Sequence, residues 1–261
     1  MLPDGSCCNR LSLSDLLRRE HGAVPLPSRL RRLARRSAPI VSAKLVLPDP
    51  SANTPPRSLG ELTRCCFAVG GVAFVDDRVP FAMVDGNYIM EEFKEAKAAG
   101  TYAVNMDRIP MLSVDGKPVL GQSKSIERYV AGVCGLMGSS ALEAAQIDMV
   151  GEHVRDIKDA FNKAKGANTL EAFLAEELGP KFLKPLDKVV GMLGQPGFAV
   201  GSKLSLAGLQ IWQLATDFLA GNAAEAEKAM AGCDALKAVV AAVAANEKLQ
   251  AWLAARPVTI F

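Results

Sequence analysis

A chain of 261 residues, 49% of them hydrophobic and 22% charged, is long enough to bury one or two cores. No uninterrupted apolar run reaches the roughly 18 residues that a membrane-spanning helix needs. The net charge of +2 is unevenly spread: residues 1–36 hold eight arginines against Asp4, Asp15 and Glu20, for +5, and the rest of the chain carries −3, so a basic face for nucleic acid is confined to that first segment.

Residues 1–41 read as a leader. RLRRLARRSAPIVS is Arg-rich and Ser-containing, the pattern of a mitochondrial or plastid transit peptide, although three acids are atypical of one. An amphipathic surface helix or a disordered tail are the alternatives, and without a targeting leader the chain is expected in the cytoplasm. Ala43–Leu47 follows as a first strand. The next eleven residues, PDPSANTPPRS, contain four prolines and form a loop. Leu59–Val69 is a helix with Leu62, Cys66 and Val69 inward, ended by Gly70-Gly71, and Val72–Val79 is a second strand. A helix over Met90–Ala99 is capped by Gly100. Met111–Val114 and Lys117–Leu120 then flank Asp115-Gly116, the strongest two-residue hairpin signal. Gln122-Ser123 opens a helix with Ile126, Tyr129, Val130 and Val133 along one face.

From Ser140 onward the pattern is helical. Ser140-Ala-Leu-Glu143 is a capping box opening a helix to about Lys165. Asn168 or Thr169 caps another, which Gly179-Pro180 breaks and which resumes to Leu193. Gly194–Gly197 is a turn. Ser205 caps an apolar helix to Leu219 that contains Leu209, Ile211, Trp212 and Leu214. A long Ala-rich segment follows, and Asn246–Ala255 is the last helix. Cys7, Cys8, Cys65, Cys66, Cys134 and Cys233 form no CxxC pair, which fits a reducing compartment. With only His21 and His153, His-rich metal sites are excluded and a histidine-based triad is disfavoured; His153 reads as structural.

Two features suggest a binding site. Pro110 stands directly before a strand, where a trans proline marks an edge or a break. A cis Ile109–Pro110 bond would instead turn the Ile109 N–H and C=O outward for an extended peptide. Gln122-Ser123 lies at a helix N-terminus, which favours a carboxylate; an ordinary Ser N-cap is the alternative. The stretch IPMLSVDGKPVLGQSKSIERY resembles the glutathione-binding half of cytosolic glutathione transferases, the sigma class most closely. NEKLQAWLAARPVTIF resembles sigma-class C-termini, so the likeness spans roughly residues 43–261. It implies an α/β thioredoxin-like domain over residues 42–136 and an all-helical domain over 140–261. It implies glutathione as co-substrate, no metal, a small hydrophobic electrophile and a homodimer, with neither nucleic acid nor a membrane span. In that scheme Ile109, beside Pro110, pairs with the cysteinyl backbone of glutathione, and Gln122 and Ser123 hold its γ-glutamyl carboxylate. Lys97 binds the glycyl carboxylate, with Phe93 four residues earlier where the sigma class has Trp, and Arg108 supports the same carboxylate. Glu152 reaches across a dimer interface toward the γ-glutamyl amine.

The same comparison exposes a gap. Glutathione chemistry needs the thiolate, and lowering a thiol pKa by ~2 units takes about 2.7 kcal/mol of differential stabilisation. Sigma-class enzymes supply it from a Tyr at the end of strand one, where this chain has Leu47; Tyr88, Tyr102 and Tyr129 all lie outside the first strand–helix loop. Ser51 or Thr54 is the replacement hydroxyl donor, or both are ordinary loop polar groups. Gly208 replaces the Asp expected four places into Ser205-Leu-Ala-Gly208. The resemblance therefore implies a transferase that conjugates glutathione to small electrophiles. The alternative is a non-catalytic structural or assembly subunit of the S-crystallin kind. A prostaglandin-type isomerase is possible for the class, and nothing in the sequence selects it.

Overall fold

The computed structural model describes residues 43–48, 60–80, 82–84 and 87–256, which all belong to one compact unit spanning residues 40–261. The leader, residues 1–41, lies outside the described residues.

Strand β1 (Ala43–Pro48) runs centrally in a four-stranded sheet, between β2 (Val75–Val79) and β5 (Met111–Val114), with β6 (Lys117–Gly121) beyond β5. Helix α1 (Glu61–Gly70) connects it to β2 (Val75–Val79), which pairs with β1 in parallel. A parallel pair needs such a crossover. Leu62, Cys65, Cys66 and Phe67 are the buried stripe of α1, and Gly71, at φ 66°, ends it in a left-handed turn. The second strand is shorter than its apolar run because Phe74 is taken for packing. Its ring stacks on Phe67 at 4.7 Å and tilts against Trp252 at 5.6 Å.

A small antiparallel pair, β3 (Ala82–Val84) and β4 (Asn87–Ile89), precedes α2 (Glu91–Ala98). The sequence reading missed this pair. Its signal is Asp85-Gly86, the same dipeptide that was read correctly further on, but with arms of three residues each. After a short 3₁₀ turn (Ala103–Asn105), β5 (Met111–Val114) lies antiparallel to β1 and turns into β6 (Lys117–Gly121). Asp115 and Gly116 have φ of 50° and 76°, the pair of left-handed residues that a two-residue hairpin requires. Pro118 is tolerated because β6 is an edge strand whose register shifts between Leu112 and Ser113.

Helix α3 (Ser123–Val133) buries Ile126, Glu127, Val130 and Ala131. Tyr129, expected inward, is 40% exposed, and the charged Glu127 takes an inner place instead. The order β-α-β-(ββ)-α-β-β-α is the thioredoxin-like arrangement expected, with one added hairpin. An all-helical part follows.

Its first helix, α4 (Ala141–Gly166), begins as the capping box predicts, with Ser140 Oγ accepting from Glu143 N. The return arm is displaced by one residue: the Glu143 carboxylate accepts from Ser139 N and Oγ. Of Asn168 and Thr169, it is Thr169 that stands at the start of the next helix. Thr169 occupies the N-cap position without a side-chain cap bond, and its hydroxyl donates back to Ala164 O. Gly179-Pro180 does not break that helix. α5 (Leu170–Ala172) passes into a π-helical stretch (Phe173–Leu183) and on to α6 (Lys184–Leu193). The wider turn accommodates the missing N–H and the ring of Pro180, while Gly179 lets the backbone of Ala229 approach closely.

Helix α7 (Leu206–Gln213), extended by a π turn (Leu214–Phe218), runs through the centre of this layer. α8 (Ala223–Ala229), α9 (Asp234–Ala244) and α10 (Glu247–Ala255) complete it. Ser205 stands at the N-cap of α7, but its buried hydroxyl makes no cap bond. The first amide of the helix, Leu206 N, donates instead to Leu136 O at 2.9 Å. At Gly151 an added Cβ would lie 2.5 Å from Gln210 Oε1, so α4 and α7 cross closely there. One continuous core joins Leu45 and Leu112 of the sheet to Ile126, Ile147, Leu209 and Val243 of the helices.

Two buried ionic groups reinforce that junction. Glu61, 4% exposed at the start of α1, accepts from Arg64 at 3.3 Å, from Arg256 at 2.5 Å and from Trp252 Nε1 at 3.3 Å. Arg64 also reaches Asp76 of β2 at 2.9 Å. The second group lies on α3, where Lys124 holds both carboxylate oxygens of Glu127, at 2.8 and 3.1 Å. Burial pushes the Glu127 carboxyl up, against the pull of Lys124 and Lys158. Lys158 of α4 bonds Gln213 Oε1 at 3.3 Å and lies 5.3 Å over the Phe218 ring. Burial, aided by Lys124 and opposed by Glu127 and Asp217, lowers its ammonium from 10.5 to about 8.

Glu61→Ala takes a partner from the buried Arg64 and the partly buried Arg256 and is expected to cost about 3 kcal/mol in urea unfolding. Lys94→Ala, which breaks the exposed Glu91–Lys94 pair, should change stability by less than about 1 kcal/mol. For Lys158 the folded value lies below the unfolded one, so its penalty is complete below about pH 8 and fades as pH rises toward 10.5. The difference in stability between Lys158→Met and the parent chain should therefore shift in the parent's favour between pH 8 and 10, measured by unfolding at each pH.

Candidate functional site

Register brings the predicted binding residues to one end of the sheet. Val46 of β1 pairs with Met111 of β5, and Met111 pairs with Gly121 of β6. Ile109-Pro110, leading into β5, and Gln122-Ser123, leaving β6, therefore flank the same sheet end, where the chain also departs β1. The Ile109–Pro110 peptide is cis. Ile109 lies beyond the last ladder pair, and among the described residues its N–H and C=O take no hydrogen-bond partner.

Gln122 is the N-cap of α3, with φ 64° and no side-chain cap bond. The first helical bond runs from Ile126 N to Gln122 O at 3.0 Å, so the Ser123, Lys124 and Ser125 amides precede any i→i−4 acceptor. Such a terminus suits an anion. Here the cap is Gln122 rather than the Ser N-cap weighed from the sequence, and Ser123 is the first helical residue.

Phe93 of α2 stacks on Tyr102, with centroids 5.1 Å apart and planes at 22°. Both rings join Val79, Met111 and the partly buried Ile109 in a small apolar cluster, so Phe93 backs the Ile109 segment. Lys97 is exposed one turn further along α2, in its last turn. Arg108 is exposed immediately before Ile109. Glu152 is engaged within its own chain: its carboxylate accepts from Arg128 of α3 at 2.5 Å and pairs with Arg155. Arg128 also grips Asp148, chiefly through a hydrogen bond that raises the guanidinium pKa. Among the described residues, no bond links Glu152 to Gln122 or Ser123. Leu47 pairs with Arg78 across β1 and β2. Ser51 and Thr54 lie outside the described residues.

The described cysteines are free and poor nucleophiles. Burial raises the thiols of Cys65 and Cys66 strongly and that of Cys134 to about 11, and it also raises Cys233. Among the described residues no cluster of His, Cys, Asp and Glu is arranged to hold a metal, and no helix is long and apolar enough to cross a membrane. Sequence reasoning overlooked Asn105, whose buried amide braces the Ile109 segment, and Arg128, which ties α3 to α4. Arg128 was visible inside the quoted Gln122–Tyr129 motif, whereas nothing in the pattern around Asn105 marked it.

Comparison with known proteins agrees with the fold. Residues 152–256 match the family profile described as "Glutathione S-transferase, C-terminal domain". A probable glutathione S-transferase 7 of Caenorhabditis elegans is 31% identical over 215 residues, covering 79% of this chain and 96% of that protein. A solved C. elegans glutathione transferase is 27% identical with a TM-score of 0.65, covering 84% of this chain and 99% of that one. The transferase of Ascaris lumbricoides is 28% identical with a TM-score of 0.62, covering 84% and 100%. With sheet, helical layer and sequence in agreement along most of its length, the chain belongs to the glutathione S-transferase family.

Proposed function

We propose that the protein is a sigma-like glutathione transferase that conjugates the glutathione thiolate to small hydrophobic electrophiles, acting as a homodimer. The observation that carries this reading is the meeting of the unpaired Ile109 main chain and the α3 amides at one end of the sheet. An extended tripeptide pairs its cysteinyl backbone with Ile109, and its γ-glutamyl carboxylate reaches Ser123, the α3 terminus and the Gln122 amide. Lys97, exposed on α2, takes the glycyl carboxylate, aided by Arg108. Tight retention of the tripeptide brings its sulfur to the departure of β1, where a hydroxyl from Ser51 or Thr54 donates to the thiolate. Glu152, as an interface acid, faces the partner subunit's ligand.

A second reading rests on Leu47. With no phenol at that position, the chain binds glutathione without turning it over and serves as a structural or assembly subunit.

Calorimetry with glutathione, beside conjugation of chlorodinitrobenzene, separates the two. Binding with turnover is the expected result; binding without turnover supports the scaffold, and no binding overturns both. Ser123→Ala is expected to raise the glutathione KM about tenfold, the loss of a charge-assisted bond, with kcat little changed. Ser51→Ala should abolish most turnover if Ser51 is the donor, and Thr54→Ala if Thr54 is. Sedimentation equilibrium tests the dimer.

A further inference from the structure

Asn105 is 6% exposed and ends the 3₁₀ turn that precedes the Ile109 segment. Its Nδ2 donates to Arg108 O at 2.8 Å and to Pro110 O at 2.9 Å. Both acceptors are carbonyls, so only the NH₂ end of the amide can face them. One side chain thus holds the carbonyl before and the carbonyl after Ile109. The main-chain carbonyl of Asn105 accepts from Arg108 N at 3.2 Å, closing a tight loop. Two residues inside that loop, Met106 and Asp107, have φ of 50° and 56°, a left-handed run that residues bearing a Cβ seldom adopt.

Peptide planarity turns this brace into an orientation. The Arg108 carbonyl and the Ile109 N–H lie on opposite edges of one trans peptide plane. With the carbonyl bound to the buried Asn105, the Ile109 N–H points away from it. The Pro110 carbonyl fixes the plane that follows, so the Ile109 carbonyl sits between two restrained units. On its other side Asn105 presses against Gly121, where an added Cβ would lie 2.0 Å from Asn105 Cγ and Oδ1. Gly121 directly precedes Gln122, the N-cap of α3. A single buried amide therefore touches both halves of the proposed platform.

We infer that Asn105 is a positioning residue for the tripeptide ligand: it presets the Ile109 main chain and fixes its spacing from the Gln122–Ser123 helix start. This rests on the glutathione-binding reading above.

The test compares the parent chain, Asn105→Asp, Gly121→Ala and the double variant by calorimetry with glutathione, thermal unfolding and residue-resolved amide exchange. Aspartate keeps the shape but sets carboxylate oxygens against two carbonyls. Asn105→Asp is expected to weaken glutathione about tenfold and to speed exchange at Ile109 and Met111, leaving Leu45 and Val46 of β1 protected. Gly121→Ala, which pushes Asn105 aside, should do the same, and the double variant should lose no more than the larger single loss. Parent binding with unchanged affinity in both single variants overturns the inference alone. So does additive loss in the double variant, or faster exchange throughout the sheet. No heat with the parent chain overturns the binding reading and this inference with it. If Asn105→Asp fails to fold, Asn105→Ser, which retains one donor, should show a smaller loss of affinity; an unchanged affinity there counts against the inference.

Discussion

The antiparallel register of β5 between β1 and β6 is the constraint on which the candidate site depends. Val46, Met111 and Gly121 stand side by side, and the segments just outside them have no choice but to be neighbours. A slip of one residue would reverse the faces of β5, moving Leu112 out of the core. Leu112 is fully buried, so the hydrophobic effect sets the register and thereby the site. The geometry of the candidate site is a by-product of core packing, sharpened by positive-φ positions at Asp107, before β5, and at Gln122, after β6.

The junction between sheet and helices is held differently. Apolar contact supplies most of it, through Cys66, Ile126, Leu209 and Val243. Into this contact the chain inserts two ionic groups, around Glu61 and around Glu127. Neither is expected to add much net stability, because desolvation offsets attraction. What they impose is geometry. Glu61 accepts from Arg64 and Cys65 of its own helix and from Trp252 and Arg256 at the end of α10, so its bonds fix how α1 and α10 meet.

Much of this was legible in the sequence. Regular periodicity announced α1, α4 and α10, and Asp115-Gly116 announced the β5–β6 turn, because local chemistry determines both. The candidate residues Ile109, Gln122 and Ser123 stood out for the same reason, since they cluster within fifteen residues, and the fold brings them to one sheet end. What escaped notice depended on contacts that no regular spacing announces. Gly179-Pro180 looks like a break until the helix is allowed a wider turn. Ser205 looks like a cap until Leu136 is found supplying the acceptor for the helix's first amide. Glu127 looks like a solvated residue until Lys124 and Lys158 close around it. Asn105 carries no local signature at all, because its role lies in carbonyls three and five residues away.

The bonds from Trp252 and Arg256 to Glu61 span 191 and 195 positions along the chain. Ribosomes release a polypeptide from its amino end, so the beginning of α1 emerges long before the helix that completes its surroundings. Until then Glu61 has Arg64 and Cys65 of its own helix beside it, and Phe74 lacks the indole against which it leans. The threshold of the first helix is thus finished last, and a transcript truncated before codon 252 would yield a chain with a sheet but an unsealed doorway.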